Sequence, residues 1–117
     1  MQKIIFLLLM VPAICFGQLV SEPNYTNEEI CDSIWYAEGG NKTKFPYGIK
    51  SVYCYGEEEC RNVCLNTVKN NRKRYKEYGY KNFETYLSFL ASKYCPISVR
   101  GCENWERNVR YFLEKNK

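Results

Sequence analysis

Six cysteines within residues 18–117 constrain this chain more than any other feature: Cys31, Cys54, Cys60, Cys64, Cys95 and Cys102. A chain of this size buries only about 60 to 65% of the surface its unfolded state exposes, so a small core needs covalent help. An even number of cysteines in an exported chain points to three disulfides, and six cysteines allow 15 pairings that spacing alone does not choose between. Structural zinc is the rival use. It is disfavoured because the chain has no histidine and Cys60 and Cys64 are one helical turn apart, not arranged as a Cys-x2-Cys knuckle.

Export itself is read from the first seventeen residues. Lys3 precedes the apolar run Ile4 to Ile14, and Cys15 and Gly17 are small residues at the −3 and −1 positions of a cleavage site. That is the pattern of a signal peptide over residues 1–17, cut before Gln18, with one domain in residues 18–117. A membrane anchor would need about 17 to 25 apolar residues, and this run gives way to polar sequence at Ser21. The expectation is a secreted or periplasmic protein, not stably inserted in a membrane.

Charge narrows the partner. The chain has 17 basic and 13 acidic residues, and Lys69, Arg72, Lys73, Arg74 and Lys76 form its densest basic group. Such a run reads as a solvated helix face, and export argues against nucleic acid. An anionic polymer outside the cytoplasm, such as a cell wall, is the compatible partner.

The periodicity is helical. Thr26 with Glu29 three residues on makes a capping box, so a helix is expected over 27–38, with Ile30, Ile34 and Ala37 as its apolar stripe and Gly39-Gly40 as its stop. Segment 41–55 holds Pro46 and Gly48 and allows a short strand or an irregular loop. Glu57-Glu58-Glu59 opens a second helix through Cys60, Cys64, Val68 and Asn71 that stops at Gly79. A third is expected over 82–94, with Phe83, Leu87, Leu90, Ala91 and Tyr94 inward and Pro96 beyond it. A fourth runs from 102 or 103 to 113, with Trp105, Val109, Phe112 and Leu113 on one side. The fold class is mainly α.

Glu38 does not suit its position. It prolongs the stripe of Ile30 and Ile34, where an ionised carboxylate is costly. Burial disfavours the charged form of a carboxyl group, and a carboxyl group that keeps its proton near neutral pH serves as a general acid. The alternative is a fraying last turn in which Glu38 faces water. Gly39-Gly40 leave space beside the carboxylate for a bulky ligand, and Phe45, Tyr47, Tyr53 and Tyr55 offer rings on which a sugar face stacks. Aromatic residues completing a small core would give the same composition.

These residues carry a resemblance. Ser33-Ile34-Trp35-Tyr36-Ala37-Glu38-Gly39-Gly40-Asn41, followed by Pro46-Tyr47-Gly48-Ile49, resembles the catalytic signature of the lysozyme-like superfamily, in particular bacterial soluble lytic transglycosylases. Phe89-Leu90-Ala91-Ser92-Lys93-Tyr94-Cys95-Pro96, then Asn104-Trp105 and Asn108-Val109, is similar to the family's late segment that closes the cleft. Cys60-Arg61-Asn62-Val63-Cys64-Leu65-Asn66-Thr67 is similar to a cysteine-bearing variety of small lysozyme-like proteins. The likeness covers residues 29–113. It departs from the family at Ile49-Lys50-Ser51-Val52, where Gly-Leu-Met-Gln is common, and it lacks an Ala-Tyr-Asn-Ala-Gly segment.

The resemblance implies a lysozyme-like domain that cleaves the β-1,4 bond between N-acetylmuramic acid and N-acetylglucosamine in peptidoglycan glycan strands. Glu38 would be the single general acid and base, with no metal, no cofactor and a monomeric chain. Tyr47, Ser51 and Tyr53 are expected on the near wall, Tyr94 and Asn104 across the cleft, and Asn66 on sugar amides. Asp32, the sole aspartate, is expected to point elsewhere. Trp105 and Phe112 are read as core. The alternative function is that of an inactive peptidoglycan- or sugar-binding envelope protein. The preferred disulfide pairing takes one of Cys60 and Cys64 to Cys54 and the other to Cys95, and joins Cys31 to Cys102.

Overall fold

Thr26 organises the first element as its sequence dictates. In the computed structural model, which describes residues 22–116, the Thr26 hydroxyl accepts the Glu29 backbone N–H and the Glu29 carboxylate accepts the Thr26 N–H. Helix α1 follows over Asn27–Glu38 and buries Ile30, Cys31, Ser33 and Ile34. It ends because Gly39 turns to φ 99°, where its N–H reaches back to the helix carbonyls. The proposed signal peptide lies outside the described residues.

A single 3-10 turn over Gly40–Lys42 leads into an irregular stretch to Tyr55. Of the two readings the sequence allowed for this segment, the loop is the one found, and no strand occurs among the described residues. Helix α2, Gly56–Glu77, turns Cys60, Cys64, Val68 and Asn71 inward. Helix α3 is shorter than its periodicity suggested and spans Tyr86–Tyr94. Residues 82–85 form a turn and bend after the 3-10 turn Gly79–Lys81, and the Thr85 hydroxyl caps the helix start by accepting the Ser88 N–H. Helix α4 is Trp105–Lys115, with Trp105, Val109 and Leu113 buried.

The core sits where the four helices meet. Leu87, Phe89 and Leu90 of α3, Ile30 and Ile34 of α1, Val68 of α2 and Val109 of α4 are each 0 to 1% exposed. Each such side chain contributes about 1.5 to 3 kcal/mol by leaving water. α1 packs most extensively on α4 and next on α2, so the ends of α1 are held from two sides. Among the described residues no helix is long and apolar enough to cross a membrane.

Among the described residues two disulfides form. Cys54 bonds to Cys60, as the preferred pairing had it. The rest of that pairing is corrected: Cys95 bonds to Cys102, not to α2, and Cys31 is not joined to Cys102. After α3 the chain turns back on itself, with Val99 N–H donating to the Pro96 carbonyl and Cys102 N–H to that of Val99. This brings the Cys102 Cα to 5.3 Å from that of Cys95, within reach of a bond. Cys31 and Cys64 are left as buried thiols.

Candidate active site

Glu38 occupies the last turn of α1, half-buried. Its Oε2 accepts the indole N–H of Trp105, the first residue of α4, at 2.8 Å. Among the described residues it forms no ion pair with lysine or arginine. Gly48 lies directly against the carboxylate. A Cβ built on Gly48, whose φ is +74°, would stand 2.5 Å from Glu38 Oε2, closer than atoms pack, so only glycine serves at this point.

Tyr94 completes the arrangement from the end of α3. Its ring stacks on Trp105 with centroids 4.8 Å apart, and its hydroxyl donates to the backbone carbonyl of Tyr47. Burial holds the Tyr94 phenol protonated far above its usual range, with the neighbouring Cys64 next in effect and the charge of Glu38 adding to the same direction. Tyr94 therefore stays a hydrogen-bond donor. It pins the Tyr47-Gly48 peptide, and that peptide fixes the distance between Gly48 and Glu38.

Gly48 and Tyr94 also line one end of a groove of about 340 Å³, with Ile49, Lys50, Ser51, Val52, Thr67 and Lys93 around it. Hollows of about 390 and 430 Å³ lie elsewhere and do not include Glu38, Gly48 or Tyr94. Glu38 lines none of the three; the smaller groove is tied to it through Gly48, which packs against the carboxylate. It is lined by Lys50 and Lys93 and by no acid, which gives it a positive bias suited to a polymer bearing carboxylates.

The expected site residues separate into two groups. Ser51 and Tyr94 line the groove, Glu38 lies behind it against Gly48, and Tyr47 contributes its carbonyl while its side chain is buried. Tyr53 is 71% exposed and stacks edge-on with Tyr55 outside the groove lining. Asn66 is exposed on α2, where its neighbour Thr67 takes the groove position. Asn104 is exposed at the cap of α4 and makes no side-chain cap bond. Asp32 pairs with Arg61, away from Glu38 as expected.

Trp105 and Gly48 were not among the site residues expected. Trp105 lies on the buried stripe of α4, where a large ring reads as core, and its indole N–H meets a carboxylate 67 positions earlier in the chain. The only sequence signal for it was that a buried tryptophan needs an acceptor. Comparisons of the chain with protein-family models, with curated proteins and with solved structures return no match.

Proposed function

We propose that this chain is a lysozyme-like enzyme that cleaves the β-1,4 bond between N-acetylmuramic acid and N-acetylglucosamine in peptidoglycan, acting from outside the cytoplasm. One observation carries the reading: a half-buried carboxylate, free of any cationic partner among the described residues, is held by an indole N–H and packs against Gly48, a residue that lines a groove. The sequence likeness around Glu38 and Tyr47-Gly48 supplies the substrate class. The two disulfides fit export.

In this reading Glu38 gives its proton to the glycosidic oxygen as the bond breaks. The single N–H donor on Oε2 leaves Oε1 for the proton and then stabilises the carboxylate that remains. The substrate's acetamide or a distorted ring carries the positive charge at the anomeric carbon, because no second carboxylate stands at this end of the groove. Glu38 then accepts a proton from the muramoyl 6-hydroxyl, leaving a 1,6-anhydro end, or from water, leaving a reducing end.

Mass analysis of purified peptidoglycan after incubation with the protein tests this. Anhydro-muramoyl products identify a lytic transglycosylase and reducing-end products a lysozyme. Retention of the protein on glycan strands with no new products overturns the catalytic reading in favour of a binding protein, which the exposed Tyr53 and Tyr55 rings would serve.

A further inference from the structure

Cys31 and Cys64 are the cysteines that the two short-range disulfides leave over. Both are 0% exposed. They project from α1 and α2, which pack on each other, into one buried core cluster, and their sulfurs lie near one another. Bonds over separations of 6 and 7 residues tie only the start of α2 and the turn before α4. Neither links α1, the helix that carries Glu38, to anything else.

We propose that Cys31 and Cys64 close a third disulfide, which staples α1 to α2 beneath the wall of the Glu38 site. A lone buried cysteine is a small apolar filler, but two meeting across one helix interface place both sulfurs where a bond forms. The staple lies directly under that wall, since Cys64 Sγ is 3.6 Å from the Tyr94 hydroxyl that pins Tyr47. The bond forms by exchange with a disulfide-bearing oxidant. A Cys31–Cys64 S–S bond replaces the oxidant's own, and the two protons and two electrons leave with the oxidant as its dithiol. Contact with Cys64, and then burial, push the Cys31 thiol far above its usual range. Thiolate is therefore scarce in the folded core, and the exchange belongs to folding, before α1 docks.

The test uses the full chain secreted from an oxidising host, purified without reductant, unfolded in guanidinium with iodoacetamide and mapped by peptide mass spectrometry. The expected result is no alkylation at residues 31 and 64 and a cross-linked peptide pair joining them. Alkylation of both residues, or a cross-link from Cys31 to any other cysteine, overturns the proposal. A second arm compares unfolding of the Cys31→Ala/Cys64→Ala protein with the parent. Loss of a cross-link spanning 33 residues raises the unfolding constant on the order of several hundred-fold, and a variant as stable as the parent contradicts the staple. Neither readout depends on cleavage of peptidoglycan.

Discussion

Two groups of carboxylates in this molecule have opposite surroundings. Glu22 and Glu106 share one guanidinium: Arg110 pairs with Glu22 at 3.0 Å and with Glu106 at 2.9 Å. The backbone N–H of Leu87 and the hydroxyls of Ser88 and Thr85 fill the remaining valences of that cluster. Glu38, held by the first residue of α4, has one neutral donor and a glycine. A carboxylate locked to arginine holds elements together through charge-assisted hydrogen bonds, whereas one held by an indole N–H is positioned by a neutral donor alone.

Variants of the two groups should separate accordingly. Gly48→Ala is expected to have the largest effect. It places a Cβ against the Glu38 carboxylate at a backbone angle that L-residues avoid. Turnover should fall about 100-fold for a displacement near 1 Å, with about 1 to 2 kcal/mol of stability lost, measured by product release and by denaturant unfolding. A Gly48→Ala protein of parental activity would detach Gly48 from the site. Trp105→Phe keeps a stacking ring but removes the donor to Glu38. A hydrogen bond to a charged group contributes about 1.5 to 3 kcal/mol, so turnover should drop at least about tenfold with glycan binding retained.

Arg110→Met should show the converse. Unfolding free energy falls by about 1 to 2 kcal/mol, because Glu22 and Glu106 lose their shared partner while Arg110 is itself partly exposed. Turnover stays at the parental rate, and a loss of activity larger than the loss of stability would erase the contrast between the two carboxylate groups. Thr26→Ala removes the α1 cap and costs about 1 kcal/mol, read as a shifted denaturation midpoint with unchanged chemistry.

The smallest effect is with pH. Burial, then the hydrogen bond to the Glu114 carboxylate, push the Tyr25 phenol from 10.0 up to about 12. A phenol whose folded value is raised stabilises the protein fully below its unfolded value. Its contribution is lost as pH rises from about 10 toward 12. Unfolding midpoints should be flat up to about pH 10 and decline above it, less steeply in Tyr25→Phe.

What could be read in the sequence follows from range. The capping box of Thr26 and Glu29, the Gly39 stop and the inward stripe of α2 depend on residues within a turn or two of one another, and all appear where the sequence put them. The start of α3 did not, because Thr85 caps it and residues 82–85 turn and bend before it, which helical periodicity at Phe83 conceals. Glu38 was legible as a carboxylate out of place on its stripe. Its partner was not, since Trp105 reads as core and meets Glu38 only through the docking of α4 on α1. The Cys95–Cys102 bond depends on the reversal after Pro96, and the Cys31–Cys64 contact on the docking of α1 against α2. Tyr53 was expected on the near wall from the resemblance, and Tyr55 was read as one more ring on which a sugar could stack. In the fold they pair with each other on the surface.

The most direct test of the central claim measures glycan-strand binding and bond cleavage side by side for the parent and for Glu38→Gln, which keeps the shape and the acceptor for Trp105 but has no proton to exchange. The account predicts unchanged binding and unfolding midpoint, with cleavage reduced by about 100- to 10,000-fold. Cleavage by Glu38→Gln at the parental rate would contradict it.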